Sequence, residues 1–199
     1  MTAFDPFGGA SVNPAEKALS LVSPPDEVEL RKLTVPTVFG RSTEMTVEAI
    51  NEFRPDCVVC VGQAAGRRGI TPERVAINIR DARIADNAGN KPVDEPIEKD
   101  GDAAYFSTLP IKLMVQKINE KGIPASISDT AGTFVCNDLM YGVLHAVKGK
   151  KICAGFVHVP CIPEQLASFP EGTPSLELPD IVKGLEAVLE ACVCGFSSR

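Results

Sequence analysis

Thiols and imidazoles are the side chains best suited to nucleophilic work near neutral pH, and this chain carries seven cysteines but only two histidines. A catalytic thiol needs a base within hydrogen-bond reach, so the scarcity of histidine limits which cysteine can be activated. Cys136 is the leading candidate. The stretch Ser126-Ile127-Ser128-Asp129-Thr130-Ala131-Gly132 leads through Thr133-Phe134-Val135-Cys136-Asn137 into a helical pattern carried by Leu139, Met140, Val143 and Leu144. This places Cys136 in the first turn of a helix. There the positive end of the helix dipole and unpaired backbone N–H groups would lower the thiol pKa, and the same amides could receive an oxyanion. The plainer alternative is a small buried hydrophobe, as most free cysteines are.

The histidines divide cleanly. His145 lies in the same predicted helix as Cys136 and, at the helical rise, about 13 Å further along it, too far for a hydrogen bond. It reads as a surface or helix-packing residue. His158 closes an apolar run just before Pro160, and the carboxyl ends of strands are where sites form in open α/β sheets. A third group usually orients such an imidazole through its other nitrogen. Glu73 stands at the mouth of a strand and could do so, although spacing alone favours a solvated loop carboxylate.

The elements that must position these residues alternate. Apolar runs at 57–62, 125–128 and 152–159 read as buried strands, with an alternating one at 75–79. Helical periodicity covers 107–121, with Ile111, Met114, Val115 and Ile118 on one face and Gly122 as the stop. A second helix begins at Asn13-Pro14, with Asn13 as N-cap, Pro14 first in the helix and Glu16 three past the cap. Two more span 43–53, ended by Arg54-Pro55, and 179–192. The pattern predicts one α/β domain over residues 1–199, its mostly parallel sheet covered on both faces. The polar, Gly- and Pro-bearing segment 80–101 breaks the rhythm and reads as a functional loop.

Whole-chain properties exclude other classes. A formal charge of −6 and scattered basic residues argue against nucleic acid as a partner. No apolar stretch approaches a membrane span and no signal peptide is apparent, so a cytoplasmic location is expected. An odd number of cysteines suits reduced thiols. Cys57-x-x-Cys60 invites a zinc or redox reading, but strand residues three apart point to opposite faces, so no metal site is expected there. Cys192 and Cys194 could share a face only if extended.

Several motifs together resemble the pyroglutamyl peptidase I family. They are Phe4-Asp5-Pro6-Phe7-Gly8-Gly9 with Asn13-Pro14, Gly62-Gln63-Ala64-Ala65-Gly66-Arg67, Ile70-Thr71-Pro72-Glu73-Arg74-Val75-Ala76-Ile77-Asn78, Asp81-Ala82-Arg83-Ile84 through Asp86-Asn87, Thr130 to Asn137, and Gly155-Phe156-Val157-His158-Val159-Pro160. They cover nearly the whole chain in order. The resemblance implies a three-layer α/β/α, phosphorylase/hydrolase-like fold with a mostly parallel, mixed sheet. It implies a cysteine omega peptidase that removes an N-terminal pyroglutamate from peptides without a cofactor and that assembles as a homodimer or homotetramer.

By the same resemblance Cys136 is the nucleophile, His158 the base and later acid, and Glu73 the orienting carboxylate. Arg83 would lie near the oxyanion, and Phe4, Phe7, Asn13, Gln63, Ile84 and Phe134 would bind substrate. Two features depart from relatives. Three residues precede Phe4 here, where family members usually have a longer first strand, which fits either a short sheet edge or a different start site. Asp129 and Asp138 stand where relatives often carry other polar residues. The alternative is a binding or phosphorylase-type protein on the same fold. A phosphorylase needs a phosphate site, and neither a P-loop nor a basic cluster is present to build one.

Overall fold

The apolar run predicted at 57–62 becomes the middle strand of the molecule. In the computed structural model, which describes residues 1–197, the central sheet has five strands: β1 (Thr2–Phe4), β2 (Leu33–Val35), β3 (Cys57–Gln63), β4 (Thr71–Pro72) and β7 (Cys153–Val159). Their order is β2-β1-β3-β7-β4. All neighbours run parallel except β4, which is antiparallel to β7. A separate antiparallel ribbon pairs β5 (Val75–Ile77) with β6 (Ala104–Phe106).

Alternation along the strands divides two apolar cores. Val59, Val61, Val157 and Val159 face one side, packed with α1 (Pro14–Leu21), α3 (Ile111–Glu120) and α5 (Leu178–Ser197) through Leu19, Met114, Ile118, Ile181 and Leu185. Val58, Cys60, Ala154 and Phe156 face the other, against α2 (Arg41–Phe53) and α4 (Val135–Val147) through Ile50, Leu139, Met140 and Leu144. Continuous apolar runs are what a sheet buried on both faces requires. Cys57 and Cys60 accordingly join opposite cores.

The helices follow their start and stop signals. Asn13 Oδ1 accepts the Ala15 N–H at 3.0 Å, and Pro14 opens α1, a cap worth about 1 kcal/mol. Arg54, just past α2, adopts a left-handed conformation that ends the helix before Pro55. Three predictions shift. The helix expected over 107–121 starts at Ile111, because Pro110 holds the preceding residue out of helical backbone. The strand expected at 125–128 is absent: that segment makes only the isolated bridges Ile70–Ala125 and Glu73–Ser128. The strand expected at 75–79 is shorter and belongs to the ribbon.

Chain order reverses between β1 and β3. From β1 the chain passes outward to β2, then returns across the sheet to β3, so the carboxyl ends of β1 and β3 diverge around a crevice. No helix among the described residues is long and apolar enough to cross a membrane.

Candidate active site

Parity on β7 aims the histidine. His158 follows Ala154 and Phe156 on the face covered by α4, and in register it lies opposite Gly62 of β3. A Cβ at Gly62 would stand 2.8 Å from Phe156 Cζ and 3.1 Å from Cys136 Sγ. Glycine therefore leaves the space into which the Cys136 thiol reaches. Thiol and imidazole sit over the same step of the β3–β7 pair.

Glu73 arrives from the other side. The two residues of β4 pair with Val157 and His158, and the Glu73 N–H donates to Phe156 O at 2.8 Å. Its carboxylate Oε1 lies 2.6 Å from His158 Nδ1. Both side chains are buried, Glu73 completely, so the solvated-loop reading of this carboxylate does not hold. The contact occupies Nδ1 and leaves Nε2 as the ring nitrogen available for proton exchange.

The positions of Cys136 and its helix match the reading from sequence. Phe134 is the N-cap of α4, Cys136 is the second helical residue, and no side chain caps the start. Asn137, fully buried, holds the opposing strand: its Oδ1 accepts from Ile77 N at 2.9 Å, while Nδ2 donates to Ile77 O and Ile79 O. Asp138, also fully buried, pairs with Arg80 and accepts the Gly40 N–H at 2.7 Å. Asp129 pairs with Arg74 at the surface. The two unusual aspartates thus anchor loops.

The thiol's acidity differs from expectation. Burial, then the Glu73 charge, pushes Cys136 up to about 12 against an opposing pull from Arg67. Burial also lowers His158 below its usual value, despite the hydrogen bond and charge of Glu73. At Cys136 burial works against the helix start, and the two shifts favour the neutral thiol and the neutral imidazole.

A cavity of about 310 Å³ opens at the carboxyl ends of β1, β3 and β7, lined by Phe4, Phe7, Asn13, Gln63, Phe134 and the two reactive side chains, together with Thr37, Ala64, Arg67 and the Thr130–Ala131–Gly132 turn. Phe134 packs against Phe7 and edge-on against Phe39, with ring centroids 5.9 and 5.2 Å away. Asn13 borders the cavity but its amide is committed to Ala15 N and Asp5 O. Gln63 donates to Gln165 Oε1 at 2.9 Å.

Arg83 and Ile84 do not line this cavity. They are exposed on the segment anchored where Asp81 N donates to Thr133 O. The rest of loop 80–101 is ordered around buried Asp86, which accepts from Phe39 N, Ala88 N, Asn90 N and Asn90 Nδ2. Asn87 then fastens the loop to Asp5 and Pro6 beside Phe7.

Arg67 received no role from the sequence. It lines the cavity, and its Nη1 lies 2.7 Å from Glu73 Oε1. The available signal was its place at the end of the Gly62–Arg67 motif, just ahead of the motif that carries Glu73. Among the described residues no cluster of three His, Cys, Asp or Glu side chains could hold a metal ion.

Residues 1–194 match the family described as Pyroglutamyl peptidase. The pyrrolidone-carboxylate peptidase of Clostridium perfringens is 55% identical over 97% of this chain and 92% of its own length. That of Bacillus cereus is 53% identical over 96% and 90%. The crystal structure of pyroglutamyl peptidase I from Bacillus amyloliquefaciens superposes with a TM-score of 0.92 at 47% identity, covering 96% of this chain and 92% of that one. A mutant pyrrolidone carboxyl peptidase from Pyrococcus furiosus gives 0.92 at 39% identity, covering 98% and 97%.

Proposed function

The chain belongs to the pyroglutamyl peptidase family, and from that premise we propose that it releases N-terminal pyroglutamate from peptides through a thioester on Cys136. The observation that carries the assignment of roles is the 2.6 Å contact between His158 Nδ1 and Glu73 Oε1, beside a cavity that Cys136 also lines.

In this reading Glu73 orients the imidazole, and Nε2 takes the Cys136 proton as sulfur attacks the pyroglutamyl carbonyl. Because the resting thiol is neutral, the thiolate forms as attack proceeds and does not stand ready beforehand. The uncapped N–H groups at the start of α4 receive the oxyanion. His158 then protonates the departing peptide amine and later activates the water that hydrolyses the thioester.

Pyroglutamate is a neutral lactam, so its pocket needs apolar walls, a few amide partners and no carboxylate for a free amino group. Phe4, Phe7 and Phe134 supply walls, and Gln63 with the Asn13 loop supplies polar edges. By the family resemblance Arg83 would approach the oxyanion and Ile84 the substrate, from the exposed segment that Asp81 ties to Thr133. The peptidase is read as one domain over residues 1–199. An odd number of cysteines, seven, suits a reducing, cytoplasmic setting. Val93 and Phe106, each 68% exposed, offer apolar surface that a second or fourth copy would cover.

The test compares fluorophore release from pyroglutamyl, prolyl and glutamyl amides, before and after thiol alkylation. Turnover should be confined to the pyroglutamyl amide and lost on alkylation. Equal rates on the prolyl amide, or indifference to alkylation, would overturn the proposal.

A further inference from the structure

We propose that Arg67 is a positioning residue of this reaction: its guanidinium fixes the Glu73 carboxylate that steers His158 and ties it to the turn lining the substrate cavity. The proposal rests on the catalytic reading above.

Arg67 Nη1 and His158 Nδ1 meet the same carboxylate oxygen, Oε1, at 2.7 and 2.6 Å. The other oxygen, Oε2, is buried and has no hydrogen-bond partner among the described residues. The side-chain contacts that fix the carboxylate therefore act through Oε1 alone. Without Arg67, only the histidine that the carboxylate is meant to orient would hold it. The guanidinium also donates to Thr71 Oγ1 on β4 and, through Nη2, to Thr130 O at 3.2 Å. Thr130 belongs to the turn that lines the cavity. One planar fork thus spans β4, Glu73 and the substrate-binding turn, a geometry that a lysine ammonium does not reproduce.

Burial gives the pair its weight. Glu73 is fully buried and the Arg67 side chain is 24% exposed, so removing the guanidinium would leave a buried carboxylate with less compensation. The charged and titratable groups facing His158 are Glu73, Arg67 and Cys136. Glu73 favours the imidazolium, and Arg67 disfavours it alongside burial. At Cys136, burial, Glu73 and Cys60 oppose the thiolate while Arg67 favours it. Arg67 therefore pushes base and nucleophile together toward their working forms.

Arg67→Gln and Arg67→Lys separate charge from shape. The measurements are kcat/KM on a pyroglutamyl amide from about pH 5 to about pH 10, and the pH dependence of Cys136 alkylation by iodoacetamide. Arg67→Gln should lower kcat/KM roughly 10- to 100-fold, move its acid limb about 1 pH unit upward, and shift Cys136 alkylation to higher pH. Arg67→Lys, which keeps the charge, should leave the acid limb near wild type while kcat stays depressed about tenfold. A folded Arg67→Gln variant with unshifted acid limb and alkylation profile would overturn the proposal, because loss of packing alone moves neither. Wild-type kcat/KM in Arg67→Lys would also overturn it, and that variant decides the matter if Arg67→Gln does not fold. Turnover retained by Cys136→Ala would instead remove the underlying catalytic reading, whatever the Arg67 variants do.

Discussion

The two ends of β3 both border a cavity and both hold cysteine, yet they are built for different things. At the amino end, Met1, Cys57, Val58, Val59, Leu189 and Cys192 help line a cavity of about 610 Å³. Cys57 and Cys192 lie there with their sulfurs 3.6 Å apart. The carboxyl-end cavity is half that volume. The larger space has thiols but no histidine, and its carboxylates, Glu27, Glu29 and Asp56, are exposed to solvent. The smaller one brings together thiol, imidazole, buried carboxylate and guanidinium. Convergent polar groups make a site, and volume does not.

The strongest way to break this contrast is to exchange the ends' cysteines for alanine one at a time. Cys136→Ala or His158→Ala should reduce kcat by roughly 10,000-fold or more with the melting transition retained. Measurable turnover in Cys136→Ala, or comparable loss in Cys57→Ala, would erase the distinction between the two ends. Glu73→Gln should rank next, with kcat down roughly 1,000-fold, because an amide can present the wrong partner to Nδ1 and select the wrong tautomer. Its readout is kcat on the pyroglutamyl amide, and a loss below about tenfold would reduce Glu73 to a packing role.

The sequence made these ends unequally legible. Cys136 and His158 were readable because each is local: one sits at a helix start after small residues, the other at the end of an apolar run before Pro160. Strand alternation separated Cys57 from Cys60, whereas the face carrying His158 emerges only in the fold, where it follows Ala154 and Phe156 on β7. Other features depend on contacts between distant segments. The strands β1, β2 and β4 have three, three and two residues, too few for periodicity to register. Segment 125–128 alternates apolar with serine like a strand, but it finds only two bridge partners, and those lie on the short β4 edge. The role of Arg67 depends on Thr130, 63 residues away. The acidity of Cys136 was misjudged because the helix start is visible in the sequence and burial beside Glu73 is not.

A smaller effect sharpens the comparison within β3 itself. Gly62→Ala should displace Phe156 and crowd the Cys136 sulfur, since the new Cβ falls 2.8 and 3.1 Å from them. The expected cost is about 1 to 3 kcal/mol of stability, with kcat lowered about tenfold as the thiol shifts from its attack position. Urea denaturation and steady-state rates measure the two. Unchanged kcat would mean that the glycine serves packing alone.

The smallest functional effect is expected at the amino end. Its hydrogen bond to Cys192, then burial, holds the Cys57 thiol well above its ordinary value near 9.0. The native state therefore keeps a proton that the unfolded chain surrenders. Above about pH 9 the unfolded state binds fewer protons than the native state, so stability falls as pH rises. Cys57→Ala removes that linkage: its unfolding free energy should decline less steeply than wild type between about pH 9 and about pH 11. Its kcat/KM near neutrality should stay within about twofold of wild type, because surface or distant substitutions that touch no reacting group leave transition-state stabilisation intact. Denaturant titrations at several pH values, run beside the peptidase assay, read both. An unchanged alkaline slope would mean that the Cys57–Cys192 contact does not hold the proton, and a large loss of activity would tie the two ends of β3 together functionally.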